Sequence, residues 1–105
     1  MPLQMAYLGE TFDANLAAAC GADETLFHEL RAAFVSSADR QLDLMQRSRC
    51  DGNWLVAATR LRGLAASFHA EKLMDLADHA MATAPGDPRA LREIADHLKT
   101  LSAPA

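Results

Sequence analysis

The stretch "ATRLRGLAASFHA" (residues 58–70) carries the most informative pattern for the fold of this chain. Apolar residues recur here and just upstream at every third or fourth position, which predicts a helix with one buried line: Leu55, Ala58, Leu61, Ala65 and Phe68. A second face of the same helix is small and nearly flat, and it comprises Val56, Thr59, Arg62, Gly63, Ala66 and Ser67. Glycine inside a helix lowers helix stability by about 1 kcal/mol relative to alanine, so the presence of Gly63 requires a structural or functional explanation. Either a neighbouring helix of the same fold or a separate partner approaches the backbone there.

The flanking segments also have helical spacing, and strand signals are nearly absent. The predicted helices cover residues 3–19, 24–47, 54–68, 71–82 and 89–101. Asp23 and Asp87 are typical N-caps, Pro88 suits a first helical position, and Gly52 followed by Asn53 predicts a break and a new N-cap. Because short connections favour antiparallel neighbours, the sequence predicts an all-α fold. We expect an up-down four-helix bundle with an additional N-terminal helix beside or across it.

The other helices have predicted buried lines of their own. In chain order these are Leu8, Phe12 and Leu16; Leu26, Leu30, Ala33, Phe34, Ser37, Gln41, Leu44 and Met45; Leu73, Leu76, Ala77 and Ala80; and Leu91, Ile94, Ala95, Leu98 and Leu101.

Bulk composition narrows the class of protein. With 105 residues, 50% of them hydrophobic and 23% charged, the chain predicts a single folded domain. A net charge of −4 argues against nucleic acid as a partner, and no apolar run has the length of a membrane span. The N-terminus lacks the pattern of a signal peptide, so a cytoplasmic location is expected, with Cys20 and Cys50 as free thiols that bind no metal.

The order of residues also resembles a known family. Leu61, Gly63, Ala65, Phe68 and Ala70 match without a gap the motif H-x-L-K-G-(S/A)-A-x-x-(L/F)-G-A of the histidine-containing phosphotransfer (HPt) domain of bacterial phosphorelays. Arg62 keeps the positive charge of the family's lysine. "DGNWLVAA" (51–58) is similar to the lead-in to the family's active helix, and "GDPRAL" (86–91) to its final hairpin. The resemblance covers residues 12–101.

Two departures from the motif decide what function the resemblance implies. Thr59 stands where the family has its phosphoacceptor histidine. A threonine hydroxyl is a poor nucleophile without a general base, and its phosphoester would be too stable to return the phosphoryl group. His69 replaces a family glycine, but ten helical residues place it about 15 Å from Thr59. His28, His79 and His97 lie off the apolar lines and are expected in solvent.

The resemblance therefore implies a pseudo-HPt signalling protein rather than an enzyme. It would bind a response-regulator receiver domain or a histidine kinase, without carrying phosphoryl and without a cofactor. Arg62 would face the partner's acidic pocket or be an ordinary surface arginine. The pairs Asp75–His79 and Glu93–His97 offer two ligands each, too few for a metal site.

Three alternatives stay open. In the first alternative, the chain is an active phosphotransferase, with Thr59 or His69 as the acceptor or with histidine at position 59 of the natural protein. In the second, it is a helical bundle unrelated to phosphorelays. Finally, the apolar third-helix face would equally support a homodimer.

Overall fold

The structure, a computed structural model, describes the backbone of residues 8–102 and the side chains of residues 12–102. Five helices make up this part of the chain: α1 (Leu8–Cys20), α2 (Glu24–Gln46), α3 (Asp51–Ser67), α4 (Glu71–Met81) and α5 (Pro88–Ser102). No strand occurs among these residues, which confirms the all-α prediction. The predicted start of the first helix, residues 3–7, lies outside the described residues.

Local capping chemistry sets two of the helix starts as predicted. The Asp23 side chain accepts a hydrogen bond from the Leu26 backbone N–H at 2.9 Å and caps α2. Asp87 does the same for the Ala90 N–H at 2.9 Å, one residue before α5 begins at Pro88. Both carboxylates satisfy helix N–H groups that would otherwise lack partners.

The start of α3 differs from the prediction. The N-cap is Cys50, without a side-chain capping bond, and Gly52 and Asn53 lie within the first turn of the helix. The Trp54 backbone N–H donates to the Cys50 carbonyl, so the helical ladder already includes the two residues predicted as breaker and cap. Asp51 in that first turn places a negative charge near the positive end of the helix dipole.

The helices enclose one core. In the described residues the principal contacts join α2 to α3 and α5, α4 to α3 and α5, and α1 to α2. The buried residues of this core are Phe12, Leu16, Phe34, Val35, Ala38, Leu42, Met45, Trp54, Ala57, Ala58, Leu61, Ala65, Ala70, Leu73, Ala77, Ala80, Ala90, Ile94, Leu98 and Leu101. Four completely buried alanines, at positions 58, 65, 77 and 80, lie on α3 and α4, so these two helices can approach closely.

Several predicted buried positions are wrong. On α2, Ala33 is exposed and Leu26 and Leu44 are 38% exposed, while Val35, Ala38 and Leu42 are buried. The buried face is rotated because α2 packs on α5 as well as on α3, and Val35 borders the same groove as Ser102 of α5. Positions that are half-buried rather than buried are Leu30, Ser37, Gln41, Phe68, Leu76, Leu91 and Ala95.

Three aromatic rings attach α1 and the end of α3 to α2. The ring centroids of Phe12 and Phe34 lie 4.8 Å apart, and those of Phe34 and Phe68 also lie 4.8 Å apart. An ion pair adds a polar contact between α1 and α2, with Arg31 Nε 2.8 Å from Asp13 Oδ1. The N-terminal helix therefore packs beside α2 through Phe12 and Asp13.

The end of α3 is a Schellman motif with histidine at the position that favours glycine. The His69 N–H donates to the Ala66 carbonyl at 3.2 Å, and the Ala70 N–H donates to the Ala65 carbonyl at 2.8 Å. His69 has φ +56°, in the left-handed region. Glycine adopts this backbone conformation more readily than histidine, because it has no Cβ atom.

We expect His69→Gly to raise the free energy of unfolding by about 1 kcal/mol, because glycine adopts the left-handed conformation without the side-chain clash. Thermal unfolding followed by circular dichroism should show a midpoint about 4–8 °C higher. Ala33→Gly, at an exposed position inside α2, is the matched control and should lower stability by about the same amount. A His69→Gly protein less stable than the unmodified chain would contradict this account of the α3 end.

Candidate protein-docking face

The six residues selected from the sequence lie together on the outside of α3. We call Val56, Thr59, Arg62, Gly63, Ala66 and Ser67 the α3 face. Val56 is 48% exposed, Thr59, Gly63 and Ser67 are exposed, and Arg62 and Ala66 are half-buried. They lie away from the completely buried line of Ala58, Leu61 and Ala65. The α3 face is therefore a continuous strip of mostly small side chains that is accessible to a partner.

Gly63 does not make room for another helix of this fold. A Cβ atom built on Gly63 would meet no atom of the described residues within 4 Å beyond its own helix and chain neighbours. The interpretation that a neighbouring helix approaches at Gly63 is therefore wrong for this part of the chain. Its carbonyl accepts a hydrogen bond from Ser67 Oγ at 3.0 Å, so the Ser67 side chain folds back onto the helix. Because of these two features, few side-chain atoms project from the α3 face at Gly63 and Ser67.

Among the described residues, no activating group is hydrogen-bonded to Thr59. Its hydroxyl donates to Sδ of Met81 on α4 at 3.4 Å, and no hydrogen bond joins it to a histidine, carboxylate or amine of the described residues. A threonine nucleophile needs a general base within hydrogen-bond reach. His69, at the far end of α3, is exposed and lies in the turn before α4. Among the described residues, His69 is therefore not placed to act as a base for the Thr59 hydroxyl.

Arg62 has a partner that the sequence did not reveal. Its Nε lies 2.5 Å from Oδ1 of Asp78 on α4, and the two side chains are 42% and 49% exposed. An ion pair this accessible contributes only about 0–1 kcal/mol. Arg62 thus links α3 to α4. An acidic group of another protein would have to compete with Asp78 to form an ion pair with Arg62.

Two large apolar side chains next to the α3 face are exposed, contrary to the prediction. Leu55 is 48% exposed, and Leu44 of α2 is 38% exposed. Trp54 takes the buried place beside Leu55, and its indole N–H donates to the Ala80 carbonyl at 2.8 Å. A signal was present in the sequence, because a tryptophan buries more apolar area than a leucine and is therefore the stronger candidate for the core position.

Two grooves lie next to the α3 face, one on each side. One, of about 330 Å³, lies between α2 and α3 and is lined in part by Leu44, Val56 and Arg60. The other, of about 340 Å³, lies between α3 and the chain leaving α4, and Leu55, Met81 and Pro85 border it. The α3 face thus continues on both sides into shallow depressions that could receive side chains of a partner.

The remaining candidate residues do not form a site. His28 and His79 are exposed as predicted, whereas His97 is half-buried against α4. Burial lowers the pKa of His97, and the nearby charge of Lys72 lowers it further. No group of three or more histidine, cysteine, aspartate or glutamate residues suited to a metal occurs among the described residues. Cys20 and Cys50 are free thiols.

Two further observations bear on the class of protein. Between residues 8 and 102, no helix combines the length and the apolar character needed to cross a bilayer. Comparison of the chain with models of known protein families, with curated proteins and with solved structures finds no match in any of the three.

Proposed function

We propose that this protein is a pseudo-HPt signalling protein. It binds a response-regulator receiver domain, or the histidine kinase that acts on one, and modulates a two-component phosphorelay without carrying phosphoryl. The proposed architecture is an up-down bundle of α2 to α5 with α1 as an additional helix. Short connections support it, because only three residues separate α3 from α4 and four separate α2 from α3.

The open space at Gly63 is the observation that carries the proposal. Glycine inside a helix lowers helix stability by about 1 kcal/mol relative to alanine. Because Gly63 makes no close contact within the described part of the fold that would offset this cost, contact with a partner is the favoured explanation for it. The exposed side chains of Leu55 and Val56 next to it would contribute apolar contact area to a docked partner. A flat strip bordered by exposed apolar residues is the form expected of a helix face that receives another protein.

The chemistry of position 59 supports docking without transfer. In the proposed correspondence, Thr59 takes the place of a phosphoacceptor histidine. No base among the described side chains is hydrogen-bonded to its hydroxyl, and a phosphothreonine would not return phosphoryl to an aspartate. The protein would therefore act by occupancy in the cytoplasm, by covering the surface that a receiver or kinase domain needs for its productive partner.

A histidine at position 59 should restore phosphoryl transfer. We expect Thr59→His to become labelled when mixed with phosphorylated receiver domains from the same cell, because an exposed imidazole nitrogen is a good nucleophile near neutral pH. Phosphate-affinity gels measure the label, and mass spectrometry locates it.

The control is Ser67→His, which places a histidine on the same exposed face about 12 Å further along α3. It should gain no label, because its imidazole lies more than two helical turns beyond the position proposed to receive phosphoryl. Labelling of the unmodified chain would contradict the pseudo-HPt proposal. A Thr59→His protein that binds receivers but gains no label would contradict the assignment of position 59.

A further inference from the structure

Positive charge is concentrated beside the α3 face. Residues 40–62 contain five of the chain's ten basic residues but only two of its fourteen acidic residues. The segment therefore has a net positive charge in a chain whose net charge is −4. It spans the last seven residues of α2 and about the first two-thirds of α3, the two helices that form the groove lined in part by Leu44 and Val56.

Most of these arginines are already engaged within the protein. Arg47 pairs with Asp43 at 2.9 Å, Arg62 pairs with Asp78, and Arg40 donates to Ser37 Oγ at 3.2 Å. Among the described side chains, no carboxylate forms an ion pair with Arg60, which is exposed.

Arg47 lines the groove between α2 and α3 but pairs with Asp43, and Arg49 has no carboxylate partner among the described side chains but does not line that groove. Arg60 combines the two features. It lines the groove between α2 and α3 together with Leu44 and Val56, which are 38% and 48% exposed. A guanidinium without an ion pair among the described side chains, next to the exposed Leu44 and Val56, suits a partner whose apolar side chains contact those two residues while a carboxylate meets Arg60. Bidentate pairing with a carboxylate would also fix the orientation of that partner.

We propose that Arg60, and not Arg62, is the cation that selects the partner, and that the groove receives an acidic amphipathic helix of another protein. This helix would present apolar residues to Leu44 and Val56 and a flanking aspartate or glutamate to Arg60. The inference rests on the proposed docking function and names the chemistry of the docked surface. Exposed leucine and valine side chains at the centre favour a protein over a nucleic acid, whose backbone would present phosphates alone.

The ion pair with Asp78 limits the availability of Arg62 to a partner protein. While the Arg62–Asp78 pair holds, Arg60 is the α3 arginine that has no ion pair among the described side chains. Asp78→Asn should release Arg62 and strengthen binding of an acidic partner by about twofold to fivefold, the range given by breaking an accessible ion pair.

The test uses two designed helical peptides of about 20 residues, with leucines along one face and either glutamates or lysines on both flanks. Each is titrated into isotopically labelled protein and followed by changes in backbone amide NMR signals. We expect the glutamate peptide to shift the signals of Leu44, Val56 and Arg60, and the lysine peptide to leave them in place. Binding should weaken as salt rises from about 0.05 to 0.5 M, since the contact is accessible to ions.

Charge variants locate the contact. Arg60→Glu should weaken binding of the glutamate peptide by about tenfold or more, because like charges would meet at the groove. Arg92→Glu makes the same charge change at an exposed position on α5 and should have little effect. Equal binding of both peptides, equal losses in the two variants, or tighter binding of a duplex DNA oligonucleotide would overturn the inference.

The same variants separate this inference from the proposed function. If receiver domains bind and Arg60→Glu binds them as well as the unmodified chain does, the role of Arg60 is wrong and the docking function stands. If the glutamate peptide binds at Arg60 and no receiver or kinase domain binds at all, the selective groove stands and the phosphorelay function falls.

Discussion

Replacing Gly63 with phenylalanine should weaken partner binding by about a hundredfold while leaving the protein folded. Docked protein surfaces pack about as densely as protein interiors, so a large side chain at the centre of the contact would hold the partner away. Forcing extra volume into such a contact costs up to about 3 kcal/mol, which corresponds to that hundredfold change. The fold should tolerate the substitution because a Cβ at Gly63 meets no described atom within 4 Å.

The measurement is calorimetric titration of receiver domains into Gly63→Phe and into Gly63→Ala. Both variants should be at least as stable as the unmodified chain, and Gly63→Ala should gain about 1 kcal/mol, because alanine and phenylalanine are better helix formers than glycine. Ala33→Phe, at an exposed position on α2, is the matched control and should bind normally. Undiminished binding by a folded Gly63→Phe protein would show that the partner does not contact this part of α3.

Truncating Phe34 should produce a large loss of stability. Its side chain is 1% exposed and lies between Phe12 of α1 and Phe68 at the end of α3, with ring centroids at 4.8 Å on both sides. Phe34→Ala removes these contacts and leaves a cavity, so we expect a loss of about 3–5 kcal/mol. A small domain of ordinary stability would retain little margin after that loss.

Denaturant unfolding gives the free energies. Phe34→Leu, which keeps much of the volume, should lose less and serves as a variant that stays folded. Phe27→Ala is the control, because Phe27 is only half-buried and its edge contact is with the exposed His28. Losses below about 1 kcal/mol for Phe34→Ala would mean that the three rings do not hold α1 and the α3 end on α2.

The sequence predicted helix boundaries best where a single side chain determines them. Asp23, Asp87 and Pro88 act on backbone groups within three residues, so their effect can be inferred from local order alone. The predicted start of α3 was wrong. The helix begins at Asp51, and its backbone hydrogen bonds, such as that from the Trp54 N–H to the Cys50 carbonyl, already include Gly52 and Asn53.

Features of the α3 face that depend on distant residues could not be predicted. Arg62 finds Asp78 sixteen positions later, and that pairing exists only once α3 and α4 pack together. The sequence left two reasons open for Gly63, and only the empty space around it removes the internal one. Leu44 and Leu55 looked like core residues because their apolar spacing is correct, although the packed helices point other residues inward.

The most direct test of the central claim is one titration series with the unmodified chain. Receiver domains from the same cell, phosphorylated and unphosphorylated, and histidine kinase domains are titrated by calorimetry, and each mixture is then run on a phosphate-affinity gel. The account predicts a one-to-one complex with at least one of these domains and no phosphoryl group on this protein. Absence of binding to every domain, or phosphoryl found on the unmodified chain, would contradict it.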